Sequence, residues 1–308
     1  MVDDKEFKKR ISFLKNEAEK YILVQKKDFD EAFSSNFWLP LKKQKDFEKT
    51  LRSGSDTAGF QSVLTAGGRR AAMLWWMGRY LIHAKDDLAQ GYEYLHRGLD
   101  AIWWGFLCRP NTYTDLESNI QLLIAWFDVT GVPKRSDYIG RYLSGLTEIP
   151  DREKYLQNSE IGRLMAQLWC KDNSIDIEYL TGIYEFKKKD HKYANVIENI
   201  FSEDVGLFTS ILESALQYRV REAAIESGEF RTAIAFHLIP IEFYYIQRIR
   251  SRKGLVTNFP ESAIFSLNDG APSQYSGISL ESDPVLHSAI KKAIDQKWLD
   301  REMVEEMM

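Results

Sequence analysis

The chain reads as an all-α protein made of stacked antiparallel helix pairs, an α-solenoid-like array or an irregular bundle, with a long irregular segment near the carboxyl end. Three observations lead there. Apolar residues recur at three- and four-residue steps along most of the sequence, alternating strand patterns are nearly absent, and almost every connection between periodic stretches is short.

Residues 3–26 open the chain with an amphipathic helix, carrying Phe7, Ile11, Leu14, Ala18, Tyr21 and Ile22 at helical spacing and a solvated face of Lys and Glu. A second helical region, 28–51, is interrupted at Pro40, after the aromatic break Asn36-Phe37-Trp38-Leu39. The flexible stretch SGSDTAGF, residues 53–60, separates this amino-terminal region, residues 1–52, from a main helical domain, residues 53–308.

The main domain is organised around a hairpin over residues 69–106, hinged at Lys85-Asp86-Asp87. Its first helix is apolar almost all round from Ala71 to Ile82, which predicts neighbours on most sides and a central position. In the second, Leu88, Tyr92, Leu95, Leu99, Ile102, Trp103 and Phe106 share one face, Asp87 with Gln90 forms a capping box, and Pro110 closes the helix. Gly91, Gly98 and Gly105 fall seven apart. Each interior glycine costs up to about 1 kcal/mol of helix propensity relative to alanine, so three in register predict a close backbone approach within the fold.

The hairpin resembles a tetratricopeptide unit. Gly78 lies three residues before Leu81, and Gly91, Tyr94, Gly98 and Leu99 take that repeat's small and aromatic places, with one residue too many between Gly78 and Gly91. No clean second copy follows at that repeat's period of about 34 residues, so the likeness speaks for stacked helix pairs and not for membership.

Further helices follow at 116–129, ended by Gly131 and Pro133, and at 137–146, capped by Ser136. Others are read at 158–170, 176–187, 193–201, 204–227 and 230–252. Pro240 stands inside the last of these, so that helix either kinks at Ile239 or a new one starts at Pro240, with Glu242 capping its first turn. Residues 255–284 are irregular and rich in Asn, Pro, Gly and Ser, and a last helix over 284–297 precedes the acidic end WLDREMVEEMM.

Composition narrows the function classes. The apolar and charged fractions, 44% and 28%, are those of an ordinary soluble globular protein. No apolar run is long enough for a membrane span, and the charged start MVDDKEFKKR has no signal-peptide core behind it, so a cytoplasmic location is expected. A formal charge of −4 gives no nucleic-acid footprint. Cys108 and Cys170 lie far apart and read as core thiols.

Motif chemistry is sparse. There is no HExxH, GxSxG, GxGxxG or P-loop, and the five histidines are scattered, so neither a catalytic set nor a metal or cofactor site is assigned. Trp75-Trp76 and Trp103-Trp104 read as core packing rather than a stacking platform for bases or sugars, and His83 as a helix-end cap. The basic runs, among them Arg248 to Lys253, read as helix ends.

The stretches GRYLIHAKDDLAQGYEYLHRGLDAI and PIEFYYIQRIRSRKGL running into FPES resemble the all-helical immunity proteins that neutralise bacterial polymorphic and type VI toxins. The resemblance covers the main domain and not the amino-terminal region. It implies a protein-binding protein that occludes a cognate toxin's active site, acidic residues meeting a basic cleft, with Asp86, Asp87, Asp115, Glu117 and Asp128 near the ends of the helices as the first contact candidates. Two other classes stay open. One is a helical-repeat scaffold or regulatory protein holding a peptide in a groove; the other is an enzyme or nucleotide-binding protein using Arg69, Arg70, His237 and Glu242.

Overall fold

The computed structural model describes residues 70–108, 117–144, 160–175, 191–224, 239–260 and 284–308, with single residues among 5–20 and at 236 and 265. Among these residues the chain is all-α and without strands. Contacts divide it into two compact units, one of Met1–Ile11 with Leu116–Gln274 and one of Ser12–Asp115 with Tyr275–Met308. The expected boundary after residue 52 lies outside the described residues, as do the expected helix over 176–187 and nearly all of the irregular segment past 260. The described residues among 5–20 are helical and exposed, as an amphipathic first helix requires of its polar face.

The hairpin unit holds α1 (Arg70–Ala84), α2 (Leu88–Cys108), α9 (Pro284–Asp295) and α10 (Arg301–Met307). Asp87 caps α2, its carboxylate accepting from the Gln90 N–H at 3.1 Å, and Asp86 ahead of it turns the chain with a left-handed φ of 55°. The two helices approach to backbone contact. A Cβ on Gly78 would lie 2.7 Å from the Gly91 carbonyl oxygen, one on Gly91 would lie 2.5 Å from Ile82 Cγ1, and one on Gly98 would strike the Trp75 ring at 2.6 Å. The stripe of small residues is therefore a packing seam.

The central helix is α2, a correction to the expectation that placed α1 there. Between Gly91 and Leu107 every residue is buried except Glu93 and Asp100, seven apart on one stripe, whereas Trp76, Tyr80 and Leu81 of α1 are only partly covered. Glycines seat α2 deep because they let its partner come close. Trp75, Trp103 and Trp104 are all in the core, and Leu286, Ile290 and Ala293 of α9 add a further buried face.

The second unit holds α3 (Glu117–Val129), α4 (Pro133–Ser144), α5 (Glu160–Asp172), α6 (Lys192–Glu198), α7 (Val205–Ala224) and α8 (Ile241–Arg252). Helix α3 lies at its centre, packed by α4, α5 and α8, with Leu122, Leu123, Ile124 and Trp126 wholly enclosed. Gly131 ends it at φ 87°, where the Val132 N–H reaches back to the Phe127 carbonyl at 2.7 Å, a Schellman turn. The expectation that Ser136 caps this helix is corrected: Ser136 lies inside α4. Pro133 supplies the first turn, because its missing N–H would have no helical partner there anyway, and the Ser136 hydroxyl, one turn in, donates to the Ile124 carbonyl at 2.9 Å.

At Pro240 the alternative of a fresh start is the one found: α8 begins at Ile241, with Pro240 in the N-cap place. At the carboxyl end the single expected helix ends earlier, in a turn through Lys297 (φ 60°), and Asp300 caps the separate α10 by accepting from the Met303 N–H at 3.0 Å. No described helix is long and apolar enough to cross a membrane.

Candidate functional site

Three arginines tie the helices of the second unit together, two of them by donating to backbone carbonyls and the third by pairing with carboxylates. Pro240 has no N–H to give the Phe236 carbonyl, which accepts from the Ile239 N–H at 3.1 Å and keeps room for a second donor. Arg219 of α7 supplies it. Its Nη2 donates to the Phe236 carbonyl at 2.6 Å and to the Ile239 carbonyl at 3.0 Å, while its Nε donates to Glu242 Oε1 in the first turn of α8. Both side chains are fully buried. The Tyr193 hydroxyl of α6 donates to the same carboxylate oxygen at 3.3 Å, and His191 caps α6 by accepting from the Tyr193 N–H through Nδ1. Tyr218 stands edge-on to both His191 and Tyr193.

Burial dominates the electrostatics of this cluster. It pushes the Glu242 carboxyl above its ordinary range, although Arg219's charge and hydrogen bonds from the backbone, Arg219 and Tyr193 pull the other way. Burial, and then the Glu242 charge, drives the Tyr193 phenol well above its usual value. A carboxyl with no solvent contact, held on one oxygen by a guanidinium and a phenol, is a strut between helices and not an acid–base group facing a substrate.

Arg250, on α8, is the second strut. Its Nη1 donates to the Ile200 carbonyl at 2.7 Å, Nη2 to the Val256 carbonyl at 2.8 Å and Nε to the Thr257 hydroxyl at 3.0 Å, and the guanidinium stacks 3.9 Å over the Phe208 ring. One planar group thus fixes the turn after α6, the start of α7 and the chain leaving α8. Gly254, at φ 71°, completes the turn out of α8, where the Leu255 N–H donates to the Arg250 carbonyl at 3.0 Å.

Arg252 closes the third knot. It donates through Nη1 to Asp128 at 3.0 Å and through Nη2 to Asp172 at 2.5 Å, so the ends of α3 and α5 are both held to α8. Arg248 adds a longer contact of 3.4 Å to Asp128. Burial weakens the Arg252 charge, but hydrogen bonds and charge from Asp128 and then Asp172 outweigh it and raise its pKa.

The acids expected at a partner-facing rim thus meet different fates. Asp128 is buried and spent on Arg248 and Arg252 inside its own unit, a role hidden in sequence because its partners lie more than a hundred residues away. Asp86 and Asp87 are exposed at the hairpin tip. Asp115 lies outside the described residues, and Glu117 opens α3. Of the groups considered for catalysis, Arg69 and His237 lie outside the described residues, Arg70 opens α1, and Glu242 is the strut described above.

Two bland expectations concern single residues. His83 is buried in the last turn of α1, and Cys170 is a buried free thiol whose pKa burial pushes up to about 12. The structural roles of Arg219 and Arg250 have no local signal in the sequence, because the carbonyls they bind lie on other segments; for Arg219 only Pro240, which removes one helical N–H, points the way. No family model, curated protein or solved structure matches this chain.

Proposed function

We propose that the chain is a protein-binding protein of the immunity type, which neutralises a bacterial toxin by stoichiometric occlusion. The observation that carries the reading beyond the sequence resemblance is the hairpin tip. Asp86 and Asp87 are exposed on a turn that is short and fixed at both ends: Asp87 caps α2, and its N–H donates to the Leu81 carbonyl at 3.0 Å. Negative charge held in place in this way steers a basic partner and selects against wrong ones at little ordering cost on binding. Of the five rim candidates, these two are the acids with exposed carboxylates in described positions.

The test uses the purified product of the gene next to this one, the place where a toxin is encoded beside its antidote. Asp86→Lys with Asp87→Asn reverses one charge and removes the other, and asparagine keeps the cap. Association about tenfold slower, with a flatter dependence on salt, is the expected result, since rim charges act on the on-rate. An unchanged on-rate in a complex that still forms would remove the tip from the interface.

A further inference from the structure

We propose that the exposed apolar surface of Phe201, Leu207 and Val256, where α6, α7 and α8 meet, is a docking site for a cationic protein surface that inserts an apolar side chain. The proposal rests on the protein-binding reading above and gives it a second, independent contact region. Among the described residues five large hydrophobic side chains are exposed, and these are three of them, 38%, 49% and 61% accessible. They stand on three separate segments that one guanidinium draws together: Arg250 holds the Ile200 and Val256 carbonyls, and its face covers the Phe208 ring beside Leu207.

A surface clamped in this way is preorganised, so a partner does not have to order it on binding. Apolar side chains rimmed by polar ones are the ordinary composition of a contact region.

Charge selects the occupant. Glu198, Glu203 and Asp204, each within four residues of Phe201 or Leu207 along the chain, are exposed. Against them stands Lys253, whose ammonium lies 5.8 Å from the Phe201 ring centroid. Arg248 and Arg252 are compensated by Asp128 and Asp172. The surface is thus left with a surplus of carboxylates around an apolar centre, the complement of a basic surface with an aliphatic or aromatic knob.

Leu207→Asp tests the centre without endangering the fold, because Asp204 caps α7 through the Leu207 N–H at 2.9 Å and a carboxylate in that first turn suits the helix dipole. Glu198→Lys with Glu203→Lys tests the carboxylates. Both are measured on the full chain by calorimetry and stopped-flow against the purified product of the neighbouring gene, with sedimentation of the chain alone. A Kd raised about tenfold or more by Leu207→Asp, with slower association for the lysine pair, is the expected result.

Wild-type chain that does not bind overturns the functional reading and this inference with it. Wild-type binding that Leu207→Asp leaves unchanged overturns this inference alone. A self-association lost in Leu207→Asp overturns the proposed occupant in favour of a second copy.

Discussion

Removing the Arg219 guanidinium would leave the Glu242 carboxyl buried without its counter-charge and would take from the Phe236 and Ile239 carbonyls the second of their two donors. Arg219→Met is therefore expected to lower unfolding stability by about 3–5 kcal/mol in denaturant titration. Glu242→Gln is expected to cost less, because it keeps the hydrogen-bonding shape and removes the buried charge. It should also change the pH profile in a definite direction. The folded-state value of Glu242 lies above the ordinary one, so the folded chain holds that proton more tightly than the unfolded chain does. Its contribution is then full below the ordinary carboxylate range and is lost as pH rises through the raised value. The difference between wild type and Glu242→Gln should follow that slope; a difference that stays constant with pH would contradict the assignment. Among the described residues, two besides Asp86 sit in the left-handed region without being glycine, Ser174 at φ 57° and Lys297 at φ 60°, each ending a helix in a turn of Schellman pattern. Ser174→Gly and Lys297→Gly are each expected to raise stability by about 0.5–1 kcal/mol, read as a higher denaturation midpoint.

At the scale of elements the glycine seam of α1 and α2 makes the sharpest demand. On an isolated helix Gly91→Ala would be favourable, yet here the new methyl would meet Ile82 and the Gly78 carbonyl at 2.5 and 2.9 Å, so a loss of about 1–3 kcal/mol is expected despite better helix propensity. An increase in stability would show that the hairpin can open there without penalty. This seam was legible in sequence, because glycines at seven-residue spacing cost helix propensity and so must be repaid by packing. Asp87 and Gly131 were legible for a similar reason, since capping and chain reversal depend on the residue itself and its nearest neighbours. The depth of α2 was not. A one-sided apolar pattern on its own surface says nothing of Tyr94, Trp104 and Leu107, which are buried as well, Tyr94 against Leu74 and Met77 of α1. Ser136 misled because a serine before a helical pattern has the chemistry of a cap, and the proline three residues earlier could do the same work.

On the scale of the whole molecule, fold class followed from periodicity alone, whereas the candidate surfaces did not. Asp128 carries the same letter as Asp86, and only three-dimensional proximity to Arg248 and Arg252 removes it from the surface while Asp86 stays on it. Nothing in the sequence marks Leu207 and Val256 as exposed, and only the structure shows that they are, beside segments that Arg250 ties together. The two proposed contact regions lie in different compact units. In the proposed complex, acidic and apolar contacts held separately would join steering to slow release, because charge acts mainly on association and buried apolar anchors mainly on dissociation. Combining the tip and Leu207 changes should therefore add their free-energy losses, as expected for sites with no shared partners.

The most direct test of the central claim is a binding isotherm between the full chain and the purified product of the neighbouring gene, with that product's activity followed in the same titration. The account expects a saturable one-to-one complex, activity that falls in proportion to the chain added, and both effects weakened by the Asp86, Asp87 and Leu207 substitutions. No complex at micromolar concentrations, or a complex that leaves the activity untouched, would contradict it.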